Sequence, residues 1–143
     1  MLWSHLSNSP KKNTWAGLAF ERLCLLHINQ IKRALGISGV QTEVCSWLCK
    51  ADKEKGIEGS QIDLLIIRKD QVINLCEMKY SQKEYTISNN DNDDFLRKLN
   101  DFRLVTNTKF AVHLTLITTE GLKQNLYSNT IQNVVVGNDL FEK

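Results

Sequence analysis

With 143 residues, 42% of them apolar and 24% charged, the chain has the length and composition of one globular domain and can bury a core without staples. A net charge of +2 is too weak to argue by itself for nucleic acid, so a polyanion would have to be held by a local basic patch or by another chain. No run reaches the roughly 18 apolar residues of a membrane span, MLWSHLSNSPKK has no signal-peptide core, and Cys24, Cys45, Cys49 and Cys76 follow no disulfide or zinc spacing, which predicts a cytoplasmic protein with reduced thiols.

The first dozen residues read as a lead-in, and no linker or repeat divides the rest of the chain. The chain is therefore read as one domain over residues 1–143, or as a domain cut from a longer protein. TWAGLAFERLCLLHINQIKRAL predicts a helix over Thr14–Leu35, capped by Asn13 or Thr14 and stopped by Gly36. Its apolar stripe is Leu18, Leu25, Ile28 and Leu35. Val40–Lys50 reads as a strand and ADKEKGIEGS as a charged loop. Gln61–Ile67 and Val72–Lys79 form a hairpin across RKDQ. Ser88 or Asn89 caps a second helix whose stripe is Phe95, Leu99 and Phe102. KFAVHLTLIT is a buried strand, Leu122–Tyr127 a short helix, and IQNVVV a last strand. This order predicts an α/β domain with one mixed β-sheet flanked by helices.

Four charged residues break the apolar pattern. Residues two apart in a strand share a face, so Glu77 and Lys79 point the same way as Leu75 and Ile73, and Asp63 the same way as Gln61, Leu65 and Ile67. Asp63 and Glu77 meet only if Lys69-Asp70-Gln71 is a three-residue loop pairing Arg68 with Val72; a two-residue turn puts them on opposite faces. Glu21 falls on the apolar stripe of the first helix, where an acid costs free energy unless a partner receives it. Carboxylates crowded together resist ionising, and a divalent cation removes that conflict. Mg²⁺ or Mn²⁺ suits Asp63 and Glu77, with the Met78 backbone carbonyl as a third oxygen and Glu21 binding directly or through water. Lys79 would orient a water or stabilise charge on a phosphate, and Gln61 would stand at the rim. The plainer reading is an Asp63–Lys79 salt bridge with Glu21 half exposed.

Asp63, thirteen residues, then Glu77-Met78-Lys79, after a helix bearing Glu21, resembles the PD-(D/E)xK nuclease superfamily with its restriction-endonuclease-like fold. Ile62 stands where that motif has proline, and the second helix lacks the Gln-x-x-x-Tyr signature of the exonuclease-like branch. WAGLAFE, QIDLLI and LCEMKYS are similar to the nuclease-like C-terminal domain of some prokaryotic AAA-type ATPases, although no Walker A sequence is present. The resemblance implies an αβββαβ core. It further implies Glu21, Asp63 and Glu77 as metal ligands, Lys79 as the catalytic lysine, and hydrolysis of DNA phosphodiesters with Mg²⁺. The alternative is an inactive module of the same fold that binds DNA or docks on an ATPase. Lys50, Lys53, Lys55, Arg68, Lys69 and Lys83 are the basic residues available to a phosphate backbone, or else solvated loop charges.

Overall fold

The computed structural model describes residues 10–141. The expected first helix is in fact two, α1 (Pro10–Leu26) and α2 (Ile28–Ala34). Pro10 opens α1, where a missing N–H costs nothing, so the helix begins ahead of the expected caps. The break comes at His27. Its Nδ1 takes the Leu23 carbonyl at 2.7 Å, the acceptor its own backbone N–H would use in a continuous helix. That N–H turns to the Cys24 carbonyl instead, at 3.0 Å. Gly36 does stop α2. At φ 74° it donates to Arg33, and Ile37 donates to Lys32, the paired bonds of a Schellman ending.

Strands β1 (Thr42–Cys49), β2 (Ser60–Arg68), β3 (Val72–Lys79), β4 (Ala111–Thr118) and β5 (Asn133–Val136) form one five-stranded sheet in the order β1-β2-β3-β4-β5. The two junctions among β1, β2 and β3 are antiparallel; those of β3 with β4 and of β4 with β5 are parallel. Helix α3 (Asn89–Thr106) is the crossover that makes β3 and β4 parallel. It starts on a capping box, in which the Ser88 hydroxyl accepts the Asp91 N–H and the Asp91 carboxylate accepts the Ser88 N–H. The short helix expected at Leu122–Tyr127 does not form. Leu122 bridges Tyr85 instead, with the Tyr85 N–H donating to the Gly121 carbonyl and the Tyr85 carbonyl accepting the Lys123 N–H, so the turn of helix that follows is a 3₁₀ turn at Ser128–Thr130.

Helices cover both faces. On one, Phe20 and Cys24 of α1 and Ile31 of α2 pack on Leu64, Ile66, Cys76, Ile117 and Val135. On the other, Phe95 and Phe102 of α3 pack on Ile62, Leu65, Ile73, Leu75, Val112 and Leu114. The β2–β3 register runs from Ile67 opposite Ile73 to Leu64 opposite Cys76. It is the register that a three-residue loop imposes. Gln71 closes that loop at φ 69°, its N–H on the Arg68 carbonyl at 3.1 Å. Among the described residues no helix is long and apolar enough to cross a membrane.

Candidate functional site

The site begins with an irregularity in β2. Against β1, Cys45 pairs with Leu65, but Trp47 pairs with Ile62. Two steps along β1 match three along β2, so β2 carries a bulge between Ile62 and Leu65. The packing agrees. Ile62 and Leu65 lie in the α3-side core, three residues apart, whereas strict alternation would put them on opposite faces. Asp63 sits at this bulge and is exposed. The expectation that it shares the face of Leu65 and Ile67 is corrected, because the extra residue rotates it away.

The bulge also ends the hairpin ladder. Beyond Leu64–Cys76, residues 60–62 of β2 stay with β1, while Glu77, Met78 and Lys79 of β3 stay with β4. The sheet therefore forks, with Asp63 on one arm and Glu77-Met78-Lys79 on the other. Met78 backbone atoms lie on an arm that has β4 on one edge and no β2 partner on the other.

Glu21 reaches this fork from α1. Its carboxyl shares a hydrogen bond with Asp63, and Gln61 Nε2 donates to Asp63 Oδ1 at 3.0 Å. Two carboxyl groups can share such a bond only if one carries a proton. Partial burial, the bond to Asp63 and the charge on Asp63 push Glu21 up to about 7. The same bond, donated by Glu21, holds Asp63 below its ordinary value. Lys79 and Glu77 both lie near enough to act electrostatically on Glu21, Lys79 favouring its ionised form and Glu77 opposing it. Glu21, Asp63 and Gln61 line a groove with Leu18, Leu25 and Ser46, and Arg22 stands beside them.

Glu77 turns to the α3 side. It is 8% exposed, and Lys98 Nζ of α3 lies 2.8 Å from Oε1. The contact is one of charge and not of an aligned hydrogen bond, since Oε1 has no hydrogen-bond partner among the described residues. Lys79, half buried two residues along, makes no ion pair among the described residues. The Asp63–Lys79 salt bridge of the plainer reading is therefore not what forms; Asp63 pairs with Glu21 and Gln61.

Several expectations need revision. Of the expected stripe, Ile28 and Leu35 pack against the core, but Leu18 is 61% exposed and Leu25 46%, so its α1 half is not the core face of that helix. That face is Ala16, Phe20 and Cys24, and Glu21 stands beside it at the groove. Of the cysteines, Cys24 and Cys76 are buried and Cys45 is exposed. Arg68 lies at the hairpin tip, held by Asp70 at 2.9 and 2.6 Å and by Asn74 at 3.2 Å, so it does not approach the fork. Lys50, Lys53 and Lys55 lie in the β1–β2 connection at the fork's end of the sheet. Trp47 packs edge-on against Phe102, ring centres 5.2 Å apart.

Two residues were not placed at the site by sequence reasoning. Lys98 belongs to a charged helix face and carries no pattern signal. Asp101 is fully buried, with Glu58 N–H (3.1 Å) and Ser60 Oγ (2.5 Å) donating to its carboxylate, which pins the β1–β2 connection and the start of β2 to α3. Its spacing from Phe95 and Phe102 put it beside the buried stripe, and that was the available signal.

Among the described residues no group of three or more His, Cys, Asp or Glu side chains is arranged to hold a metal ion. The close pair is Glu21 with Asp63. In comparisons with known proteins, no family model, no curated protein and no solved structure matches this chain.

Proposed function

We propose that the chain is a metal-dependent DNA endonuclease-like domain that hydrolyses phosphodiester bonds at the fork between β2 and β3. The observation that carries the reading is the meeting of Glu21 and Asp63 at the bulge that splits the sheet, with Glu77 and Lys79 on the facing arm and no ion pair at Lys79 among the described residues. Two carboxylates driven together by the fold, with no side-chain cation between them among the described residues, form a hard oxygen pair of the kind that takes Mg²⁺ or Mn²⁺ with several waters retained. Asp63 and Glu21 would be the ligands already together, Glu77 would have to close across the fork to join them as the third, and the Met78 carbonyl is on Glu77's arm. A bound divalent ion would supply Lewis acidity toward a phosphate oxygen and a more acidic water. Lys79 would hold charge developing on the phosphate, because no carboxylate among the described residues occupies its ammonium. Gln61 would keep Asp63 oriented from the rim. Lys50, Lys53 and Lys55 would meet the DNA backbone where it approaches the fork. The restriction-endonuclease-like assignment itself remains part of this proposal; it draws on the resemblance of Asp63 and Glu77-Met78-Lys79 to the superfamily motif.

The test is cleavage of plasmid and branched DNA with Mg²⁺ or Mn²⁺ by the wild type, Glu77→Ala and Lys79→Ala. Loss of each group lowers the rate by about a hundredfold or more. Equal residual cleavage by all three proteins would mean that the activity is not this site's. A second reading, an inactive module that docks on an AAA-type ATPase or on DNA, is favoured by one observation. Leu18 and Leu25, both exposed, give the groove an apolar wall, and among the described residues Arg22 is the basic side chain that lines it. Calorimetric titration with Mn²⁺ separates the two, since absence of binding at millimolar metal supports the module.

A further inference from the structure

The acids of the fork share one neighbour that neither motif nor helix pattern singled out. Lys98 projects from α3, a helix fixed on the sheet by the buried rings of Phe95 and Phe102, and its Nζ lies 2.8 Å from Glu77 Oε1. It is also near enough to Asp63, on the opposite arm, to favour that carboxylate's ionised form. Lys98 is thus the ammonium felt by the acids of both arms, while Lys79 pairs with neither.

We propose that Lys98 is an internal counter-ion that stands in for the divalent cation at the fork, holding Glu77 in the metal-free protein and competing with the metal for it. This rests on the metal-dependent reading of the fork. A buried ion pair built for stability is normally completed by hydrogen bonds that satisfy the remaining oxygens. The Glu77–Lys98 contact lacks that completion: Oε1 is buried and accepts no hydrogen bond among the described residues. The pair therefore neutralises Glu77 without locking it. A lysine stem has four rotatable carbons, and the side chain of Lys98 keeps 19% of its surface in solvent, so the ammonium can swing outward without moving α3. A divalent ion arriving between Asp63 and Glu77 meets a single positive charge that must leave. Lys98 is a positioning residue in this scheme. It sets the affinity for the cation and makes no contact with a reacting atom.

The experiment is Mn²⁺ titration by calorimetry, in low salt, of the wild type, Lys98→Met and Lys98→Gln, with melting curves in EDTA and in Mn²⁺. The methionine keeps the stem and removes the charge; the glutamine keeps a donor for Glu77 and so protects the fold. The expected result is Mn²⁺ affinity raised in both variants on the order of tenfold, the effect of removing a neighbouring like charge. In EDTA the melting temperature of Lys98→Met falls, and Mn²⁺ restores more of it than Mn²⁺ adds to the wild type. Equal affinity in all three proteins, or binding lost in the variants, overturns the counter-ion role and leaves the metal site standing. No Mn²⁺ binding by any of them overturns the metal site, and the counter-ion role with it.

Discussion

Replacing Asp101 with alanine tests how the fork is held open. Asp101 is 0% exposed and accepts two hydrogen bonds, from Glu58 N–H at 3.1 Å and from Ser60 Oγ at 2.5 Å; Cys49 Sγ, at 3.9 Å, adds little. A hydrogen bond to a charged group contributes about 1.5–3 kcal/mol, and removing the acceptor strands a buried donor. Glu58 is exposed at the surface and its N–H can recruit water, so the lower end of that range applies to its bond. Asp101→Ala therefore costs about 3 kcal/mol. Asp101→Asn retains an oxygen for Glu58 and a polar group for Ser60, and costs about 1 kcal/mol. Equilibrium urea unfolding measures both, provided the slope stays that of the wild type. Because Ser60 begins β2, amide exchange at Gln61 and Asp63 should quicken in Asp101→Ala before it does in β4. An alanine variant within about 0.5 kcal/mol of the wild type, or an asparagine variant as damaging as the alanine, would refute the claim that these bonds anchor the strand.

Glu21 makes stability depend on pH. Its folded value of about 7 lies above the ordinary 4.5, so the fold keeps a proton that the unfolded chain releases between those values. Stability then falls as pH rises through that window. Glu21→Gln still donates to Asp63 but cannot titrate, so its melting temperature in EDTA lacks this fall; parallel profiles for the two proteins would contradict the shared proton. Gln71 sits at φ 69°, which costs a residue with a Cβ about 1–2 kcal/mol, while glycine costs roughly 0.5–1 kcal/mol in unfolded-state freedom. Gln71→Gly should stabilise by about 0.5 kcal/mol, read as a rise in the urea midpoint. Phe95 is 1% exposed at the centre of the α3-side core, and Phe95→Ala should cost about 3–5 kcal/mol in the same assay.

The strands were legible because their signals are local. The β2–β3 register is one of the two that the RKDQ turn left open, whereas the Ser88 cap and Gly36 stop are single-residue chemistry. The stripe on the first helix was misjudged because α1 carries apolar residues on more than one face. Leu18 and Leu25 keep the helical spacing as well as Phe20 and Cys24 do, and only the docking of α1 on Leu64, Ile66 and Cys76 decides between them. The break at His27 turns on one side chain outcompeting its own amide for a carbonyl, which no periodicity announces. The bulge at Asp63 was invisible for a related reason. QIDLLII alternates imperfectly, and the extra residue shows only when β2 is laid against β1. Lys98 needed the third dimension outright, since its partner lies on a strand 21 positions earlier, at Glu77.

How the acids are satisfied separates two kinds in this chain. Asp101 accepts a backbone N–H and a hydroxyl. Asp91 accepts Tyr85 Oη at 2.7 Å and the Ser88 N–H at 3.0 Å. Asp70 takes both ends of the Arg68 fork, and Asp139 accepts the Val136 N–H at 3.0 Å. Each of these carboxylates has donors supplied by the fold around it, and each fixes a loop, a cap or a strand end. The three acids at the fork are held differently. Glu21 must borrow its hydrogen bond from a second acid, Asp63 has a single amide besides, and Glu77 has a cation but no hydrogen bond at its buried oxygen among the described residues. A chain that satisfies acids elsewhere with backbone and side-chain donors could have done so here, and a serine or asparagine at any of the three positions would relieve the repulsion. Structural need does not explain three under-satisfied carboxylates gathered where a β-bulge splits the sheet. On the metal-dependent reading proposed above, a ligand that brings positive charge would complete all three, as expected where local rules are broken together at a site used for binding or chemistry.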